Sequence, residues 1–182
     1  MKKRTSKEIF VETLLEISRD TPVDKITVKR IVEESGLSLK TFYNHFPDKY
    51  ALFIYVEEAK ACQLYADMEK EECTFREFLQ VGVLINETLK NFINNAIENT
   101  SGQDFYGKKH VESAYSAISR FILKRNGLEE IPEDIAFALR LYAFGLVIMM
   151  TEYSLCNNGM NKEVFLQYCE ENMPEKLKPY LL

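Results

Sequence analysis

The chain has 182 residues, a formal charge of −5 and 46% hydrophobic residues. That is enough apolar material for one fair-sized core, or for one small and one larger domain. The acidic balance is not that of a general nucleic-acid binder. Seven Gly and five Pro, with no repeat or low-complexity segment, indicate a mostly helical protein.

The opening MKKRTSKE is basic but has no apolar h-region, so it is not read as a signal peptide. Lys2, Lys3 and Arg4 suit either an arm reaching phosphates or a minor groove, or a merely solvated start. Thr5 and Glu8 have the spacing of a capping box, and Phe10, Leu14 and Ile17 share one face of the helix that follows. Thr21–Pro22 ends it, because the residue before proline is pushed out of helical geometry.

Thr27 to Lys49, TVKRIVEESGLSLKTFYNHFPDK, carries the clearest functional pattern. Thr27 is placed to cap a helix, with Ile26 and Ile31 at the two ends of a hydrophobic staple. Val28, Ile31 and Val32 form an apolar stripe, and Gly36 stops the helix where a left-handed residue is wanted. Leu37, Ser38 and Phe42 repeat the staple and cap. Two capped helices around a short Gly-containing turn make a helix-turn-helix.

At about 100° per residue, the second helix, Leu39 to Phe46, turns Leu39, Phe42 and Phe46 toward the core. Lys40, Thr41 and Asn44 fall on the opposite face, with Tyr43 and His45 on the flanks. In a major groove the central face meets base edges and the flanks meet phosphates. Lys40, Thr41 and Asn44 are therefore expected at or near bases. Tyr43, His45, Thr27 and Lys49 are expected at phosphates, which position the protein without reading sequence.

Residues 5–56 resemble the DNA-binding domain of the TetR family of transcriptional regulators. The match runs through Thr27, Val28, Ile31, Val32, Gly36, Leu37, Ser38, Thr41, Phe42, Tyr43, His45, Phe46, Lys49 and Leu52, with T-F-Y-x-H-F-x-x-K its most specific run. Departures are Val32, where many members have Ala, and Leu39–Lys40, where small residues are frequent. The run F-Y-N-H-F-x-D-K-Y is also similar to a subgroup of dihydroxyacetone kinase regulators. The resemblance implies an all-α chain: a three-helix helix-turn-helix domain, residues 1–50, before a larger helical ligand-binding and dimerisation domain, residues 51–182. It also implies a homodimer on a double-stranded, palindromic operator, a small-molecule effector and a repressor's role. The DNA-contacting set is then Thr27, Ser38, Leu39, Lys40, Thr41, Tyr43, Asn44, His45 and Lys49.

Asp48 is placed to cap a long helix over about 48–72, shared by both domains, with Leu52, Val56, Ala59 and Gln63 at helical spacing. Thr74 and Glu77 form another capping box, and one helix is expected from there to about Glu98 through Phe78, Val81, Ile85, Leu89 and Phe92. After a polar loop containing Gly102, Asp104 caps a helix bearing Val111, Tyr115, Ile118 and Ile122, closed by Lys124, Arg125 and Gly127. Pro132, Glu133 and Asp134 open the next, which runs to Asn157. It is the most apolar stretch, yet only eleven residues separate Arg140 from Glu152, whereas a membrane span needs about 20. Asn157, Asn158 and Gly159 stop it, and Asn161 opens a last helix with Val164, Phe165, Tyr168 and Cys169 on one face.

These two helices carry more apolar surface than a monomer of this size readily covers. The expected dimer face, placed there with the family's pairing of its last helices, includes Leu141, Ile148, Val164, Phe165 and Tyr168. The middle helices hold aromatic and Met side chains suited to an apolar effector pocket or to plain core: Phe78, Phe92, Tyr115, Phe137, Tyr142, Phe144, Met149 and Tyr153. Asn86 and Arg140 are polar groups beside these stripes.

Cys62, Cys73, Cys156 and Cys169 lack C-x-x-C spacing and read as free cytosolic thiols in a cytoplasmic protein. His45 and His110 have no metal partner at i+4, and no phosphate loop or nucleophile elbow occurs. Glu57–Glu58 and Glu71–Glu72 read as solvated helix faces. No catalytic residue, metal or cofactor is expected. The acidic excess lies in residues 51–182, and residues 1–50 are near neutral. That near-neutrality favours an alternative, a coactivator or interaction module acting through a partner with little DNA binding of its own.

Overall fold

The computed structural model describes residues 4–66, 73–100, 106–156 and 159–182, and among them all regular structure is helical. The helices are α1 (Ser6–Ile17), α2 (Val28–Ser35), α3 (Leu39–His45), α4 (Lys49–Ala66), α5 (Phe75–Thr88), α6 (Lys90–Glu98), α7 (Tyr106–Asn126), α8 (Glu133–Cys156), α9 (Lys162–Glu171) and α10 (Lys178–Leu181). The chain divides into two compact units, Met1–Ala59 with Leu89–Gly107, and Lys60–Thr88 with Lys108–Leu182. Expectations for Lys2, Lys3, Gly102, Asp104, Asn157, Asn158, the Glu71–Glu72 pair and the end of the long helix fall outside the described residues. So do the side chains of Cys62, Gln63 and Cys156.

In the first unit, the starts of α1, α2 and α4 are closed by the chemistry the sequence carries. The Thr5 N–H donates to Glu8 Oε2 at 2.7 Å, and the Glu8 N–H returns to Thr5 Oγ1 at 3.3 Å. Thr27 Oγ1 accepts from the Arg30 N–H at 3.2 Å, and Asp48 Oδ1 from the Ala51 N–H at 2.8 Å. Each such bond satisfies an amide that a helix start leaves without an intrahelical partner. Gly36, at φ 69°, supplies the left-handed residue that ends α2. Helix α1 buries Phe10, Leu14 and Ile17. A 3₁₀ turn at Val23–Lys25, not foreseen from the pattern, follows it. Helix α4 adds Leu52, Phe53 and Val56 to the core.

The helix expected from Thr74 to Glu98 is in fact two. It breaks at Leu89, whose φ −101°, ψ 12° is not helical. The Thr88 hydroxyl donates back to the Leu84 carbonyl at 2.7 Å, a local bond that competes with the helical ladder and bends helices. Beyond the break, α6 belongs to the first unit, where Phe92, Ile93 and Ala96 are buried. The Phe92 ring meets that of Phe53 edge-on at 5.9 Å.

In the second unit, Thr74 and Glu77 form the expected capping box, with Thr74 N–H to Glu77 Oε2 at 2.7 Å and the return bond at 3.2 Å. The Thr74 N–H and the Thr74 hydroxyl, both donating to Oε2, hold the Glu77 carboxyl below its ordinary pKa. The core draws Phe75, Leu79 and Val83 from α5, Ile118 and Ile122 from α7, Leu139, Tyr142, Leu146 and Met150 from α8, and Phe165, Leu166 and Cys169 from α9. A Cβ added to Gly82 would stand 3.3 Å from Met150 Sδ, so glycine lets α5 and α8 approach closely. Arg76 of α5 pairs with Glu163 at 3.0 Å and with Glu170, tying α9 in place. The C-terminal α10 is held by Arg125 on the Leu182 carbonyl at 2.8 Å and by Asn126 on that of Tyr180 at 2.9 Å.

Among the described residues, α8 alone is long and apolar enough to cross a membrane by length and composition. Its buried face is the centre of this core. Gly36 gives the first test. No atom lies within 4 Å of a Cβ built there, so Gly36→Ala meets only the backbone penalty of the left-handed conformation. Urea denaturation should show a loss of about 1 kcal/mol.

Candidate nucleic-acid interface

The candidate interface is built on α3, which is only seven residues long. A helix that short is not stable alone and must be anchored by packing. Phe42 and Phe46, both buried, supply the anchor. Their rings meet Phe10 of α1 edge-on at 5.3 and 6.3 Å and each other at 5.7 Å. The Lys7 ammonium stands 4.7 Å from the Tyr55 ring centroid on the flank of this cluster.

With its phenylalanines turned inward, α3 exposes Leu39, Lys40, Tyr43, Asn44 and His45. No acid lies on it, and Lys40 takes part in no ion pair among the described residues. Ser38, also exposed, accepts from the Thr41 N–H at 3.0 Å, and the two hydroxyls are 2.8 Å apart. Thr41 is half-buried, and Thr27 is exposed at the start of α2. Leu39 corrects the helical-wheel expectation that placed it in the core. It occupies the first position of α3, beside the turn, and stands half exposed.

Lys49 departs from the phosphate-contact expectation. Its ammonium donates to the carbonyls of Val23, Asp24 and Ile26 at 3.2, 2.8 and 2.9 Å. Of those carbonyls, that of Val23 also accepts from the Ile26 N–H at 3.2 Å in the 3₁₀ turn, and a half-buried ammonium with three donors matches all three. Lys49 therefore clips the α1–α2 connection to the start of α4. Nearby cations are also partly neutralised. Lys25 lies 2.7 Å from Asp24, raising its own pKa and lowering that of the acid, and Arg30 lies 2.7 Å from Glu34.

Residues 15–56 match the family model of bacterial regulatory proteins, tetR family. Over those residues the chain is similar to the family's helix-turn-helix. No curated protein sequence matches the chain. Among solved structures, the dihydroxyacetone kinase operon activator DhaS superposes with TM-score 0.62 at 13% identity, covering 97% of this chain and 98% of its own. A putative TetR-family regulator from Syntrophomonas wolfei gives 0.59 at 13%, covering 97% and 96%. The TetR family repressor AlkX from Dietzia sp. gives 0.56 at 12%, covering 98% of each chain. At such identities the likeness is one of fold: the whole chain has the fold of TetR-family transcriptional regulators.

Within that fold, the expected pocket residues separate. Phe78 and Tyr115 are half-buried against the second unit's core, as are Phe121 and Tyr153. Tyr142 is buried with its hydroxyl donating to the Cys169 carbonyl at 2.5 Å, and burial pushes both its pKa and that of the Cys169 thiol upward. Phe92 sits instead in the first unit's core, because the helix break carries it there. Phe137 and Met149, 68% and 51% exposed, lie on the outer side of α8. Arg140 is exposed, with its guanidinium 4.6 Å from the Tyr115 ring centroid.

Of the expected dimer residues, Leu141, Ile148, Val164 and Tyr168 are exposed. Phe165 is not. It stacks on Tyr153 at 4.3 Å inside the second unit, because α9 turns Phe165, Leu166 and Cys169 inward. Sequence reasoning left Phe137 and Phe144 out of the dimer set, although their i, i+4, i+7, i+11 spacing with Leu141 and Ile148 makes one stripe on α8. It also left out Asn95, an exposed-looking residue in a polar run.

Lys49→Met separates a backbone clip from a phosphate contact. Denaturation should show a loss of roughly 2–3 kcal/mol, since a charged donor is removed from half-buried acceptors. The slope of log affinity for duplex DNA against log salt should stay at the wild-type value, whereas loss of a phosphate contact would reduce it by about 0.9.

Proposed function

We propose that the chain is a dimeric, effector-responsive repressor that reads a palindromic operator with α3. The observation that carries this reading is the anchored α3, whose outward face offers Lys40, Asn44, Tyr43 and His45 and no acid. Lys40 and Asn44 reach base edges, Thr41 stands beside them, and Tyr43, His45 and Thr27 meet phosphates. The whole chain's fold, shared with regulators that include a repressor and an operon activator, supports the same class.

Dimerisation is supported by α8 and α9. Phe137, Leu141, Phe144, Ile148 and Met149 stand exposed on α8, with Val164 and Tyr168 on α9. Contiguous apolar surface of this kind marks an interaction site, and a second copy covers it with the same residues about a two-fold axis. The pair then presents two α3 helices to major grooves about 34–36 Å apart.

Effector response is supported by polar atoms inside the second unit. Asn86 Oδ1, Thr151 Oγ1 and Ser154 Oγ are buried without hydrogen-bond partners among the described residues. Each unmet group costs about 1–3 kcal/mol, which a hydrogen-bonding small molecule among apolar walls would recover. The effector changes operator affinity by favouring one conformation, a coupling of typically ~1–3 kcal/mol.

Selection of duplexes from a random pool by the full chain tests the reading directly. A palindromic consensus with a steep salt slope is expected, and Asn44→Ala should shift base preference at one position per half-site by about 1–3 kcal/mol. No selected sequence would leave the interaction-module alternative, in which a partner does the binding. In vitro transcription from the selected operator decides repression against activation. Leu141→Glu with Ile148→Glu should yield monomers by sedimentation and weaken operator binding while leaving helicity unchanged.

A further inference from the structure

The connection between α1 and α2 bears no base-reading side chain, yet side chains hold it from two directions. Lys49 takes the carbonyls of Val23, Asp24 and Ile26. From α6, Asn95 Nδ2 donates to the carbonyls of Ser18 at 2.8 Å and Thr21 at 2.9 Å, and Asn95 Oδ1 accepts from the Val23 N–H at 3.0 Å. One turn further along α6, Asn99 Nδ2 donates to the same Oδ1 at 3.0 Å and to the Asn95 carbonyl at 2.9 Å. Both donors of the Asn95 amide are used, and its oxygen accepts twice, so its orientation is fixed. Leucine, close to asparagine in size, offers none of these bonds.

We infer that Asn95 is a positioning residue for DNA reading, a strut from α6 that sets where the α1–α2 connection, and hence α2 and α3, come to rest. The inference rests on the DNA-binding reading. Thr27 follows the held segment directly and caps α2, so a displacement of residues 18–26 is passed to the helix-turn-helix at its first residue. Helix α6 is reached from α5 through the break at Leu89, and α5 belongs to the second unit.

The test uses the full chain, with Asn95→Leu and Asn99→Ala as variants. Affinity is measured across salt concentrations for the duplex selected by wild type and for a scrambled one, and amide exchange is followed at Val23. Asn95→Leu should cut the selected-to-scrambled affinity ratio by about tenfold or more and flatten the salt slope, because a misplaced reader loses contacts. Val23 exchange should speed up in both variants, and Asn99→Ala should lower the ratio by a smaller factor. A merely structural role would reduce affinity equally for both duplexes at an unchanged slope, and that result overturns the inference. An unchanged ratio in a folded Asn95→Leu protein does the same. If Asn95→Leu does not fold, the Asn99→Ala ratio decides, and a wild-type value overturns the strut. A wild-type chain that selects no duplex overturns the DNA-binding reading first, and the strut with it.

Discussion

Helix α3 depends on two phenylalanines at its back. Helix α3 has seven residues, too few to persist in water without tertiary support. Phe42 and Phe46 press it against Phe10 with edge-on ring contacts, which add to the burial of large apolar area. Because these rings fix the rotation of the helix about its own axis, they also decide which side chains face outward. Lys40, Tyr43, Asn44 and His45 are exposed as a consequence of where the aromatics must go.

This logic made the helix-turn-helix legible in sequence. The caps at Thr5, Thr27, Ser38 and Asp48, the capping boxes and the stop at Gly36 are local chemistry, carried by spacings of two to four residues, and all recur in the structure. Spacing also located α7, α8 and α9 and the start of α5, though not its end. What it could not supply were contacts decided by distant partners. Lys49 stands in a motif suggestive of phosphate, but its ammonium meets carbonyls some 23–26 positions away. Phe92 continues the stripe of Phe78 and Ile85 in a uniform periodic pattern, and only the turn at Leu89 removes it to another core. The hydroxyl of Thr88 is a weak signal for that turn, since threonine occurs within many helices.

The second unit illustrates the ambiguity of apolar helices. A helix rich in apolar residues on all sides must be covered on all sides, and sequence gives no sign of which cover comes from the same chain. In α8, Leu139, Tyr142, Ala143 and Leu146 are covered internally, whereas Phe137, Leu141 and Phe144 are not. The same sorting on α9 sends Phe165 inward and Tyr168 outward. The core and the exposed apolar stripe therefore draw on neighbouring positions of one helix, separated by roughly 100° of rotation per residue.

The bonds from Asn95 to residues 18–23 span 72 to 77 positions of sequence. Closing so wide a loop carries an entropy cost that local helix formation avoids. During synthesis, which proceeds from the N-terminus at roughly 5–20 residues per second, α1, α2 and α3 are available early. The first unit nevertheless waits for α6 before its backbone is complete. Its folding is thus tied to the emergence of the intervening chain, and a nascent protein arrested before residue 95 holds its helix-turn-helix without the support that finishes it.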